Sequence, residues 1–160
     1  MLHKAKLAAL DDLESIFNLM QRMQLDEPWS EPFDESIVRS NLAELLQNPV
    51  YGLIYLIPDA GRAVAYLVIC FDYSLEYRGK GAWVDELFVA PEHRQQGIGA
   101  YLLDLAESAS REHGAQFLHL EVSHGNRAIE LYRRRGFADH NRYLMTKQLQ
   151  PTCVNGIENK

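Results

Sequence analysis

The sequence predicts an α/β (α+β) domain, a single mixed and mostly antiparallel sheet flanked by helices in the order βααβββαβαββ. Three observations predict it. Apolar residues recur at helical spacing through 13–23, 37–46 and 98–109, β-rich runs fill 51–57, 63–73 and 82–90, and a glycine loop joins the last run to a helix. With 160 residues, 47% of them hydrophobic, the chain can build one core but not two. Residues 1–150 read as that domain, and residues 151–160 as a flexible tail.

Residues 3–8 suit a short strand, after which Asp11 and Glu14 are spaced as a capping box. The helix that follows carries Leu13, Ile16, Phe17, Met20 and Met23 on one face. Pro28 and Pro32 break it, Asp34 is placed to cap a second helix, and Ile37, Val38, Leu42, Leu45 and Leu46 give that helix a buried stripe. Runs 51–57 and 63–73 flank Pro58-Asp59-Ala60-Gly61 and read as an antiparallel hairpin. A polar loop, 74–81, leads into a strand at 82–90. The next helix places Ile98, Leu102, Leu105, Ala106 and Ala109 together and stops at Gly114. Residues 117–122 form a strand, Asn126 caps a short helix ending at Gly136, and 137–140 with 143–149 form a closing pair of strands around Asn141 and Arg142.

Composition narrows the function. A net charge of −6 argues against a nucleic-acid partner, and an acidic exterior concentrates cationic substrates. The two cysteines, Cys70 in an apolar run and Cys153 in the tail, have no framework spacing, so no disulfide is expected and the compartment is a reducing one. No apolar signal core opens the chain and the longest apolar run, 63–71, is too short to span a membrane, so a soluble cytoplasmic protein is expected. His93, His119 and His124 lack ligand spacing, and no metal site is expected.

Gln95, Gln96, Gly97, Ile98, Gly99 and Ala100 stand between a strand and a helix start. Glycine there lets backbone approach a ligand, and the unpaired N–H groups of a first helical turn point outward at the positive end of the dipole. A pyrophosphate suits such a cradle. No Gly-Lys-Ser/Thr follows, and Arg94 stands where the dinucleotide fingerprint has its first glycine, so nucleotide hydrolysis and hydride transfer lose ground.

Two blocks, DELFVAPEHRQQGIGAYLLDLAESASREHG and HLEVSHGNRAIELYRRRGF, make the chain resemble the GNAT superfamily of N-acetyltransferases. The resemblance covers roughly residues 2–149. It implies that Leu87, Phe88 and Val89 lend backbone groups to the pantetheine arm of acetyl-CoA as an added strand. It implies further that Arg94 through Ala100 hold the pyrophosphate, that Asn126 contacts the pantetheine region, and that Tyr132 faces the thioester sulfur. Homodimers are common in that family, and a homodimer is expected.

Acetyl transfer to an amine makes two proton demands. An alkylammonium with a pKa of about 10.4 must lose a proton, which at neutral pH costs roughly 4–5 kcal/mol. Glu86 is the favoured base. Its neighbour Asp85 is sent to the opposite face if the strand alternates regularly, and either carboxylate can also be a plain surface group. The departing thiolate, with a pKa of about 8.5, needs only a modest donor, and Tyr132 fits unless its hydroxyl is bonded to backbone. Arg133, Arg134 and Arg135 sit in a last helical turn, where the dipole alone accounts for at least two of them. For the acceptor, Trp29, Tyr73, Glu76, Tyr77, Glu121 and Asp85 are the candidates, aromatic faces and carboxylates that suit a cationic amine. The leading expectation is acetyl transfer to a small or lysine-type primary amine by direct attack in a ternary complex. A non-catalytic acyl-CoA sensor and a transferase of longer acyl groups are the alternatives.

Overall fold

The structure is a computed structural model that describes residues 4–29 and 31–149. Its elements are β1 (Lys6–Leu7), α1 (Leu13–Asp26), α2 (Glu35–Gln47), β2 (Gly52–Asp59), β3 (Arg62–Ser74), β4 (Gly79–Val89), α3 (Ile98–Glu112), β5 (Phe117–Leu120) and α4 (Ile129–Arg134). The five strands form one sheet in sequence order. Neighbours from β1 to β4 are antiparallel, and β5 runs parallel to β4, which gives the mixed sheet that the sequence predicts. The tail at 151–160 and Cys153 lie outside the described residues.

The β2–β3 hairpin turns on Ala60 and Gly61, both at positive φ (45° and 81°). Two such residues match the twist of the flanking strands, and a bulge beside Ile57 and Pro58 accommodates the proline. Residues 64–69 of β3 are all buried, as suits a strand covered on both faces. On one face α1 and α2 bring Ile16, Phe17, Met20 and Leu42 against Leu56, Tyr66, Val68 and Phe88. On the other α3 brings Ile98, Leu102, Leu103 and Ala106 against Leu67, Ile69, Ala82 and Val84. Among the described residues no helix is long and apolar enough to cross a membrane.

Several boundaries differ from the sequence reading. Asp34 caps α2 as expected, accepting from the N–H groups of Ser36 and Ile37. The capping box at Asp11 and Glu14 does not form: Asp12 accepts from Ala9 N instead, a 3-10 turn precedes α1, and Glu14 pairs with Arg39 of α2. The loop expected at 74–81 shrinks to 75–78, because Gly79 and Gly81 are strand residues paired with Ser74 and Asp72. The strand expected at 117–122 ends at Leu120.

The closing strands expected at 137–140 and 143–149 are not paired. Asn141 does adopt positive φ (49°) and its N–H donates to Asp139 Oδ1, but residues 137–149 form neither strand nor turn. The apolar flank finds no sheet: Tyr143, Leu144, Met145 and Leu149 are exposed, and among the described residues nothing pairs with the outer edge of β5.

One glycine is fixed by packing rather than by φ. A Cβ on Gly52 would lie 2.1 Å from the carbonyl oxygen of Ile69, a backbone atom that cannot swing aside. Gly52→Ala is therefore expected to lower unfolding stability by about 1–3 kcal/mol through overpacking of the β2–β3 ladder. Denaturant melts of the two proteins check this, and equal midpoints would show that the ladder yields at no cost.

Candidate active site

The site grows from a defect in β4. Val68 pairs with Glu86 and Ile69 with Val84, so Asp85 is an extra residue with no partner on β3. Regular alternation from Trp83 puts Asp85 on the face covered by α1 and α2, and alternation back from Phe88 puts Glu86 on that same face. The expectation of opposite faces for Asp85 and Glu86 is thereby corrected. The bulge turns both carboxylates into one cleft.

The same stretch of β4 loses its second neighbour. β5 pairs with β4 only from Gly81 to Val84, and beyond Leu120 the two strands part. Ala90 N donates to Val64 O, so by alternation the backbone groups of Phe88 also turn toward β3, while those of Leu87 and Val89 face the open edge. An extended ligand can add there as a strand, on the backbone of Leu87 and the N–H of Val89, whose carbonyl is held by Arg94, rather than on Phe88, whose ring is buried against Tyr66.

The glycine loop opens at the end of this edge. Gln95 (φ 61°) and Gly97 (φ 83°) both adopt left-handed backbone, a strain that ordinary residues such as Gln95 avoid unless the surroundings hold it. The α3 ladder starts with Tyr101 N on Gly97 O, so the N–H groups of Ile98, Gly99 and Ala100 lie ahead of it. A Cβ on Gly97 would meet nothing within 4 Å, and one on Gly99 would first touch Leu131 at 3.5 Å. The loop is thus an open concavity at a helix N-terminus, which fits a pyrophosphate. Gln96 reaches Glu92 O through its side-chain amide. Arg94 turns away from the cradle, donating from Nε to Val89 O and pairing with Asp26 at the end of α1.

Glu86 is half-buried and held. Tyr66, wholly buried, donates its hydroxyl to Glu86 Oε2 at 2.7 Å, and the Trp29 side chain also bonds the carboxylate. Burial pushes the Glu86 carboxyl up to about 7, the Asp85 charge adds to that, and the bonds from Tyr66 and Trp29 oppose it. Asp85, open to the cleft, is raised by desolvation. The Cys70 thiol is pushed up to about 12 by burial and then by the two carboxylates, so it stays protonated.

Tyr132, on α4, packs edge-on to Phe137 at 6.0 Å. Burial raises its phenol, Glu27 raises it further, and among the described residues its hydroxyl has no protein partner. Asn126 caps the turn into α4 through Ala128 N and binds Glu27 of α1. Arg133 and Arg135 pair with Glu130 and Asp104.

Of the acceptor candidates, Trp29, Tyr77, Asp85 and Glu121 line the cleft. Glu76 stands at its rim, bound by both terminal nitrogens of Arg142. Tyr73 alternates to the other face and is 71% exposed, so the structure does not bring it in. Tyr66, Asp72, Trp83 and His119 were missed by sequence reasoning. A tyrosine inside an otherwise apolar strand was the available signal for Tyr66, since a buried hydroxyl must find a partner.

Comparison with known proteins agrees with this geometry. The acetyltransferase (GNAT) family model matches residues 12–137. Streptothricin acetyltransferase of Streptomyces lavendulae is 48% identical over 56 residues, 34% of this chain and 30% of that protein. Thialysine N-epsilon-acetyltransferase of Bos taurus is 31% identical over 83 residues, 51% of this chain and 48% of that protein. The chain thus spans less than half the length of either curated relative. An integron cassette protein from the mobile metagenome of Cole Harbour salt marsh superposes with a TM-score of 0.79 at 27% identity, covering 92% of this chain and 91% of that one.

The raised Glu86 carboxyl carries a stability signature. Its folded value lies above the ordinary 4.5, so the folded state keeps a proton that the unfolded chain loses, and stability falls as pH rises from 4.5 to about 7. Glu86→Gln cannot ionise and escapes that loss. Its stability relative to wild type is expected to improve by about 2 kcal/mol between roughly pH 5 and pH 8, after allowance for screening by cleft water. Thermal melts at the two pH values check this, and a pH-independent difference would remove the buried-carboxylate account.

Proposed function

The chain belongs to the GNAT acetyltransferase family, and on that premise we propose that it moves the acetyl group of acetyl-CoA to a primary amine, a small cationic or lysine-type one, by direct attack in a ternary complex. The observation that carries this reading is the bulge that sets Asp85 and Glu86 together beside the open edge of β4. Relatives named for acetylating streptothricin and thialysine support an amine acceptor.

In this reading Leu87 and Val89 hold the pantetheine arm by backbone, the N–H groups of Ile98, Gly99 and Ala100 hold the pyrophosphate, and Asn126 lies alongside. Glu86, with a carboxyl near 7, accepts the proton that the ammonium loses, directly or through a water. The freed nitrogen bonds to the thioester carbonyl carbon, the carbon–sulfur bond breaks, and the sulfur leaves with the electron pair. Tyr132, whose raised phenol stays protonated, gives that sulfur a proton. Cys70 is a poor relay because its thiol stays protonated, which favours direct attack over an acetylated cysteine.

A homodimer in a reducing, cytoplasmic compartment belongs to the same reading. The open edge of β5 and the exposed Tyr143, Leu144, Met145 and Leu149 support it, since an unpaired edge beside apolar side chains calls for a cover. Light scattering on the eluting protein checks it, and a monomer at micromolar concentration would count against it.

Thiol release from acetyl-CoA with a panel of primary amines tests the activity. Turnover should rise with pH through an apparent pKa of about 7, and Glu86→Gln should remove that inflection with a loss of roughly 10²-fold in kcat. Tyr132→Phe should cost kcat about as much while leaving acetyl-CoA affinity near wild type. Acetyl-CoA bound tightly but never cleaved, across the panel, would sink the enzymatic reading in favour of a sensor.

A further inference from the structure

Alternation places Cys70 and Asp72 of β3, Trp83 of β4 and Phe117 and His119 of β5 on the face that carries Asp85 and Glu86. The helices cover only the near half of that face. The far half is floored by rings: Trp83 lies 4.9 Å from His119, and Tyr77 lies 4.6 Å from His119 and 4.7 Å from Phe117. Asp72 stands at its edge with a fixed carboxylate. Its Oδ2 accepts the indole N–H of Trp83 at 3.0 Å, and its Oδ1 lies 2.2 Å from where a Cβ on Gly81 would be, so a side chain at that position would push the carboxylate from its place.

Charge singles out the same residue. Glu76 on the adjoining loop is neutralised by Arg142, whereas Asp72 has no cationic partner among the described residues, and neither do Asp85 and Glu86. Lys80 turns to the α3 side, 3.8 Å from a Cβ on Gly114. Asp72 lies four residues along β3 from Val68, the partner of Glu86, which separates the two carboxylate positions by about 13 Å along the strand. Between them run aromatic faces, which attract cations and pack against methylenes.

We propose that Asp72, Trp83 and His119 form a second cation subsite, and that the acceptor is an elongated bis-cationic amine such as an α,ω-diamine. One ammonium loses its proton beside Glu86 and is acetylated. The other stays charged, held by the Asp72 carboxylate over the indole ring, with the His119 ring packed against that indole. This rests on the amine-acetylation reading and goes beyond it by setting the acceptor's length and second charge.

The test compares a graded series of α,ω-diaminoalkanes with n-alkylamines of matching length, by thiol release and by calorimetric binding. Wild type should favour a diamine of intermediate length over its monoamine about tenfold in kcat/KM, the worth of one partly desolvated cation contact. Asp72→Asn should collapse that ratio by raising KM for the diamine with kcat held. Trp83→Phe, which keeps a ring but frees the carboxylate, should fall between. Equal use of monoamines and diamines by wild type, or a ratio unchanged in Asp72→Asn, overturns the subsite while leaving the transfer reaction standing. Diamine binding that weakens in Asp72→Asn, with no thiol release from any amine, keeps the subsite and overturns the reaction.

Discussion

The bulge at Asp85 is the constraint on which the site depends. One unpaired residue reverses the facing of everything after it, so that Trp83, Asp85, Glu86 and Phe88 share a face that strict alternation would split. The reversal has a packing consequence too. Val84 belongs to the core under α3 and Phe88 to the core under α1 and α2, so the strand serves both layers in succession. The strong local twist of a bulge also suits the parting of β4 from β5, which ends at Leu120. A carboxylate pair and an open backbone edge therefore arise together.

Holding Glu86 in that position has a cost that the surrounding residues limit without cancelling. Tyr66 is the largest fully buried side chain among the described residues, and without the carboxylate its hydroxyl would be left with only the weak acceptor Met23 Sδ at 3.3 Å. The carboxylate in turn loses solvation in proportion as the tyrosine is buried. A hydrogen bond from a neutral phenol stabilises the ionised form less than water would, so burial wins and the carboxyl rises. Strain of this kind belongs where proton transfer needs a base near neutrality. The end of α1 is drawn into the same arrangement: Asp26 binds Arg94 and Glu27 binds Asn126, so one helix terminus touches both the glycine loop and the approach to α4.

Elements with local causes were legible in the sequence. The apolar stripes of α1, α2 and α3, the Ala60-Gly61 turn and the loop from Gln95 to Ala100 all follow from short-range spacing or glycine conformation. What escaped was set by pairing. No signal within β4 says that Asp85 is the extra residue, because a bulge is defined against β3. Gly79 and Gly81 looked like loop, yet both are strand residues, and Gly81 leaves the facing Asp72 carboxylate in its present place. The same pairing explains why Tyr73 was preferred over Asp72: the two adjacent residues face opposite ways, and only the register decides which one meets the cleft. The closing strands failed for the converse reason, since alternation at 143–149 is only a capacity to pair, and that segment does not use the open edge of β5.

Acidity that looked like a bulk property is unevenly distributed. Many of the surface carboxylates are spent on neighbours: Asp12 on Lys6, Glu14 and Glu35 on Arg39, Glu92 on Arg22, Glu107 on Arg111, Glu130 on Arg133. Pairs of this kind are exposed and contribute little to stability individually. Their larger effect is on the field, because paired charges cancel at a distance and unpaired ones do not. Asp72, Asp85 and Glu86 are unpaired, share one face and stand in a cleft whose walls thin out the water. Negative potential is thereby reinforced where a cation would enter. Other carboxylates, Asp11, Glu44 and Glu112 among them, also lack an ion pair among the described residues, so what sets the cleft apart is that its unpaired acids share one partly enclosed face.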